Sequence, residues 1–216
     1  MRYTFVALMC VFAGLYAKAK RGGSFASRLT FKAIASVSFV IIAFLGRIGA
    51  DRAYYALIMI GLCFSLVGDV LLVIPDRKAA AFGGAAFLFA HFGYIAAFFV
   101  YAKPTWYDAV VFAAFAAAGL IVFGKRLSRM EKRVPPVIIY GLALCAMVAK
   151  AISMLSVHGI APLLAAFAAL GGVLFVLSDA LLAHAHFHKD DQGAAGALSV
   201  LVYYAAQALI ALSVSA

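Results

Sequence analysis

The sequence predicts an all-α, polytopic membrane protein, a bundle of about eight transmembrane helices in a single transmembrane domain over residues 1–216. Three observations carry that prediction. First, hydrophobic residues make up 67% of the chain and charged residues 12%, with a mean hydropathy of +1.08. A globule in water must clothe its surface with polar groups, so the solvent for most of these side chains is lipid or another helix. Second, the apolar residues fall into eight long runs, and eight spans of roughly 20 residues leave length for short loops only. Third, what separates the runs is basic clusters, interfacial aromatics and prolines, the punctuation of membrane helices.

Taken in order, the first run covers 3–17. It follows Arg2 and ends near Ala17-Lys18-Ala19, which loosely imitates a leader peptide. The basic residues just beyond, Lys20, Arg21 and Arg28, resist translocation, so a retained first helix is expected. The second run, 29–46, is interrupted early by Lys32, and the third, 54–74, carries Asp69 and stops at Pro75-Asp76. The fourth, 82–101, contains His91 and Tyr94, and the fifth covers 106–123. The sixth, 136–155, includes Lys150, the seventh, 161–183, includes Asp179, and the last, 193–216, has no charge. Pro135, Pro136 and Pro162 stand at helix starts, where a missing amide hydrogen costs nothing. Tyr54, Tyr55, Tyr101, Trp106 and Tyr107 fall where membrane–water interfaces are expected. Gly61 and Gly68 share one helix face, as do Gly83 or Gly84 with Phe87 and His91, a spacing that lets helices approach closely.

The net charge of +10 does not point to nucleic acid, because the basic residues sit in short clusters between apolar runs. Lys18, Lys20, Arg21, Arg28, Arg77, Lys78, Lys125, Arg126, Arg129, Lys132, Arg133 and Lys189 fall on one side of the membrane. Only Arg2, Arg47, Arg52 and Lys103 fall on the other. The richer side is expected to be cytoplasmic, with both termini outside, in a bacterial inner membrane. The loop from 125 to 133 also offers an attraction for anionic headgroups. Cys10, Cys63 and Cys145 lie unpaired inside apolar runs and read as small hydrophobes.

The polar exceptions within the spans mark the candidate site. An ionisable group there costs roughly 2.5–3.5 kcal/mol on insertion scales and ordinarily faces a partner or a wet cavity. Asp69, Asp179 and Lys32 lie one to one and a half turns from the cytoplasmic ends of their helices. His91, Tyr94, Tyr203, Tyr204 and Gln207 sit nearer mid-membrane. Two carboxylates at similar depth, with a lysine and a histidine, predict one shared polar cavity. The plainer readings are ion-pairing of the acids with Lys32 and Arg77, and snorkelling of Lys32. Lys150 is expected near the outer face, snorkelling and outside the site. His184 and His188 are four apart, a spacing that suits a metal, but one helix face supplies only two ligands. Neither a metal nor a cofactor is expected.

Four strings resemble the lysoplasmalogenase family of membrane hydrolases, the YhhN-like proteins. They are Gly68-Asp69-Val70-Leu71-Leu72, the stretch from Phe87 to Tyr94, the stretch from Gly171 to Ala183 around Ser178-Asp179, and that from Tyr203 to Ile210. Tyr140 and Met147 also fit, whereas Ala33 stands where the family usually has proline after the lysine. The resemblance runs from about Lys32 to the C-terminus. It implies cleavage of the vinyl ether of a lysophospholipid to a fatty aldehyde and a glycerophospho-base. In that reading Asp69 and Asp179 are catalytic, one as acid and one as carboxylate, with the deeper Asp69 leaning to the acid. Lys32, His91, Tyr94, Ser178, Tyr204 and Gln207 then hold substrate or water. Two other classes stay open on the residues alone. One is a small-solute or proton-coupled transporter, since buried Asp, Lys and His also build relays. The other is a metal-dependent lipid hydrolase using the alternating triplet His184, His186 and His188 with Asp179. A non-catalytic lipid-binding protein is disfavoured by the paired acids.

Overall fold

A computed structural model describes residues 1–127, 134–188 and 190–215. Arg129, Lys132, Arg133 and Lys189, which entered the charge count across the membrane, lie outside the described residues. The helices are α1 (Arg2–Ala19), α2 (Phe25–Leu45), α3 (Arg52–Val73), α4 (Arg77–Tyr101), α5 (Trp106–Leu127), α6 (Val134–Ser153), α7 (Pro162–Phe187) and α8 (Ala194–Ser213). A single 3-10 turn, Met154–Ser156, follows α6, and among the described residues there is no strand. Seven of these helices, all but α1, are long and apolar enough to cross a membrane. The fold is therefore an all-helical integral membrane bundle. Helix is the structure that apolar runs must take in lipid, because it satisfies every backbone polar group within the segment.

Local sequence sets the helix ends. Ser24 accepts from the Ser27 amide at 3.1 Å, Asp51 from Ala53 and Tyr54 at 2.9 Å, and Asp76 from Ala79 at 2.8 Å. Each side-chain oxygen thus satisfies orphan amides at a helix start. Pro162 opens α7. The turns before α3 and α7 place Gly49 and Gly159 at φ 83° and 89°, a left-handed conformation that a side chain disfavours.

Three antiparallel hairpins, α1–α2, α3–α4 and α7–α8, make the most extensive contacts. Helix α8 is the hub, touching α1, α2, α3 and α7, while α4 and α7 pack on α6 and α5 lies outermost against α6. The exposed Val110, Leu120 and Ile121 of α5 present an apolar surface outward, as a lipid solvent requires. Although α1 is shorter, it belongs to the bundle: Met9 and Ala13 are buried and Phe12 packs on Phe31 at 5.9 Å. Arg2 reaches Ser215 at one end of the bundle, and Arg21 donates to the Gln192 carbonyl at 3.1 Å at the other.

Two expectations are corrected. Tyr54 is not an interfacial side chain. It is fully buried, hydrogen-bonded to Ser213 at 2.7 Å and packed on Tyr101 at 5.2 Å. Lys150 does not snorkel. It is 3% exposed, pairs with Asp108 at 2.9 Å, donates to the Lys103 carbonyl at 2.8 Å and lies over Phe99 at 4.6 Å. Ser153 also hydrogen-bonds Asp108, so α5 is tied to α6 by a partly buried ion pair that a single-helix reading could not see. Removing one partner strands the other charge, which typically costs about 3 kcal/mol or more, whereas removing both costs far less. Lys150→Met should therefore lower the thermal unfolding temperature in detergent, and the Lys150→Met/Asp108→Asn double variant should recover most of the loss. Additive losses would contradict the pairing.

Candidate functional site

The inner faces of α2, α3, α4 and α8 converge on one carboxylate. Asp69 is 1% exposed, and every polar group around it is a donor. Lys32 Nζ lies 3.1 Å from its Oδ1, while Ser36 Oγ and Tyr203 OH donate to Oδ2 at 2.6 and 2.7 Å. Ser36 also meets Tyr204 OH at 2.9 Å, and Tyr204 OH donates to the Lys32 carbonyl at 3.2 Å. Gln207 Nε2 donates to Tyr203 OH at 3.0 Å, and its Oε1 accepts from Tyr94 OH at 2.9 Å. Ser65 meets Tyr94 OH at 3.1 Å. The result is a continuous buried chain of hydrogen bonds from Lys32 to Ser65. Such a chain holds a charge only because each member is satisfied.

Helical periodicity places these groups. Lys32 and Ser36 are one turn apart on α2, Ser65 and Asp69 on α3, and Tyr203 and Gln207 on α8. Tyr94 reaches the chain because Gly61 on α3 leaves a space that its ring fills: a Cβ at Gly61 would stand 2.3 Å from Tyr94 Cε1. Gly68 receives Phe87 in the same way, with a would-be Cβ 2.7 Å from the ring.

A second cluster lies between α4, α6 and α7. Tyr140 OH donates to Asp179 Oδ2 at 2.6 Å, and Asp179 is only partly buried. The His91 ring sits 5.0 Å from Tyr140 and 4.9 Å from Phe175, fully buried, with neither ring nitrogen hydrogen-bonded. Buried polar atoms are seldom left so, and a histidine in this state is poised to accept a small hydrogen-bonding guest.

Of the residues singled out in the sequence, Lys32, Asp69, Tyr94, Tyr204 and Gln207 are thus brought into one network. Asp179 and His91 stand in the adjoining cluster, and Ser178 is buried but joins neither network among the described residues. The two aspartates share no hydrogen-bonded neighbour among the described residues. Between the clusters stands Phe175, 4.9 Å from His91, 5.6 Å from Tyr203 and 6.4 Å from Phe87. Lys32 does not snorkel; it pairs with Asp69 and lies over the Tyr16 ring at 5.2 Å. Sequence reasoning missed Ser36 and Ser65 and left Tyr203 and Tyr140 outside the site proper. Their spacing was a usable signal, since Ser36, Ser65 and Tyr203 each lie one helical turn from a residue already singled out.

At the ends of the bundle, His184 and His188 stack at 4.1 Å, and His188 Nε2 lies 2.9 Å from Arg126. Among the described residues, no group of three or more His, Cys, Asp or Glu is arranged to hold a metal.

The Gly61 space gives a direct check on the network. Gly61→Ala should push the Tyr94 ring off Gln207 and cost about 1–3 kcal/mol through overpacking. Thermal unfolding should show this loss beside an unchanged Gly14→Ala control, at a position where an added methyl meets nothing within 4 Å. Equal melting of the two variants would contradict the account.

Compared with known proteins, the chain matches the model of the YhhN family over residues 27–214. No curated protein and no solved structure matches it.

Proposed function

The chain belongs to the YhhN family, which includes lysoplasmalogenases, and from that premise we propose that it is a membrane hydrolase cleaving the vinyl ether of a lysophospholipid. The observation that carries the reading is the fully donor-satisfied Asp69 carboxylate, buried among hydroxyls, with a second acid in the cluster on the far side of Phe175.

The chemistry asks for two different acids. A proton is added to the alkene carbon remote from oxygen, leaving an oxocarbenium-like cation on the carbon beside it. Water attacks that cation, and the hemiacetal so formed breaks into a fatty aldehyde and the free glycerol hydroxyl. A carboxylic acid supplies the first proton, and an ionised carboxylate stabilises the cation and takes a proton from the water. Asp69, with Lys32, Ser36 and Tyr203 all donating to it, suits the carboxylate. Asp179, with the single donor Tyr140, suits the acid. This reverses the lean taken from depth alone, because the number of donors around a carboxyl governs its role more directly than its position along a helix.

The single polar cavity expected from the sequence is instead two clusters parted by Phe175, and in this reading the acids act across that ring on one substrate. The ring touches His91 on one side and Tyr203 on the other, so an apolar alkenyl group lying against it faces both clusters, and its π face stabilises a passing cation. His91 then holds the attacking water, while Tyr94, Tyr204 and Gln207 keep the carboxylate side fixed. The substrate partner is a single-chain phospholipid reached from the bilayer. The basic-rich side of the bundle is the cytoplasmic one, and both termini lie outside in an inner membrane.

Purified protein in detergent should release aldehyde from a lysoplasmalogen and nothing from an ester lysophospholipid. Asp179→Asn should keep its melting temperature and lose turnover by about 10²–10⁴-fold; Asp69→Asn should lose turnover as far and also melt lower, because it strands the Lys32 charge, while His184→Ala keeps both. Aldehyde release at the wild-type rate from either aspartate variant would end the two-acid mechanism, and solute flux in liposomes without hydrolysis would favour a transporter.

A further inference from the structure

The α1–α2 hairpin carries more positive charge on its inner face than the Asp69 network uses. Lys32 Nζ lies over the Tyr16 ring at 5.2 Å, which sets the register of the two antiparallel helices. Lys20 follows Tyr16 by four residues and Arg28 precedes Lys32 by four. The register therefore puts Lys20 and Arg28 at one level, one turn from the Tyr16–Lys32 contact toward the connecting loop. Lys20 keeps helical geometry at φ −57° and ψ −30°, with its amide bonded to the Tyr16 carbonyl at 2.9 Å, so this register continues through it.

Neither new cation is an ordinary solvated surface charge. Arg28 Nε is buried without a hydrogen-bond partner. Leaving such a donor unmade typically costs about 1–3 kcal/mol. Lys20 is held below the usual lysine range by burial and then by the charge of Lys32, with Asp191 pulling the other way. Of the carboxylates at hand, Asp69 is committed to Lys32, Ser36 and Tyr203, and the partly exposed Asp191, 3.6 Å from His186, acts on Lys20 more weakly than Lys32 does. Three cations thus face one committed interior carboxylate, and a guanidinium beside ammonium groups is a donor set that matches a phosphate.

We infer that Lys20 and Arg28, one turn from Lys32 toward the loop of the α1–α2 hairpin, form a binding site for the phosphate of a single-chain phospholipid. The inference deepens the proposed hydrolase and rests on it for the lipid nature of the ligand. A phosphate seated between Lys20 and Arg28 lies one helical turn from the Lys32–Asp69 pair. The attached glycerol then runs inward along α2, and its ether-linked carbon is delivered to the carboxylate end of the network. The site acts as a gauge that sets how deep the head enters and so which bond meets the acids.

Binding can be read without turnover. Full-length protein in an uncharged maltoside detergent is titrated, by native mass spectrometry, with an ester-linked lysophosphatidylcholine, a monoacylglycerol of the same tail, and inorganic phosphate. The lysophospholipid should bind at least about tenfold more tightly than the monoacylglycerol. Lys20→Gln and Arg28→Gln should each erase about tenfold of its affinity without changing monoacylglycerol binding. Lys20→Arg and Arg28→Lys, which keep the charge, should retain most of it, and melting temperatures report whether each variant is folded. Equal affinity for the two lipids, or unchanged binding in both glutamine variants, would overturn the site. Inorganic phosphate binding as tightly as the lysophospholipid would overturn its assignment to a lipid. Because the ester lipid lacks the vinyl ether, failure of hydrolysis leaves this result standing, and the reverse also holds.

Discussion

The architecture turns on one buried ion pair. Asp69 and Lys32 are both nearly inaccessible, 3.1 Å apart, inside a bundle whose surroundings cannot solvate either. A lone carboxylate there is intolerable, so its neighbours are specified with it: Ser36 on the helix of Lys32, and Tyr203 on α8, each within 2.7 Å. These contacts oblige α2, α3 and α8 to meet at one depth. From Tyr203 the requirement propagates through Gln207 to Tyr94 and so to α4. Four helices are held in register by a single acid that must not be left unpaired.

Small residues make that convergence sterically possible. Apolar burial cannot draw helices together in lipid as it does in water, so close fit must contribute instead. Gly61 gives its missing side chain to the Tyr94 ring, Gly68 to Phe87, and Gly171 lets α8 approach α7 at the level of Ile210 and Ala206. Packing and polar chemistry are therefore one design here: a hydroxyl reaches the network because a glycine on the facing helix has made room for its ring.

The remaining charge is handled by the same logic with different outcomes. Near the other end of the bundle, Lys150 and Asp108 are joined and capped by Ser153 and a backbone carbonyl, and their effect is to pin the peripheral α5 to α6. Around Asp179 satisfaction is less complete. It has one tyrosine donor and is partly exposed, and the nearby His91 has two idle nitrogens. A fully satisfied pair locks structure; an incompletely satisfied one invites a ligand.

How much of this was legible in the chain follows from what one dimension can encode. Hydropathy runs, prolines and caps are local, so eight helices and their approximate limits could be read directly, because lipid permits apolar segments little else. The oddity of Asp69, Asp179, Lys32 and His91 was equally visible, since each is a polar group where polarity is costly. What could not be read was partnership. That Lys150 finds Asp108, that Tyr54 turns inward to Ser213, and that Phe175 stands between the two acid clusters depend on helix rotation and on which helices adjoin. Those are set by side-chain fit summed over whole faces, among residues far apart in the chain. The sequence by itself determined that buried charges exist and at what depth; only tertiary packing decided which of them neutralise one another and which remain open to a ligand.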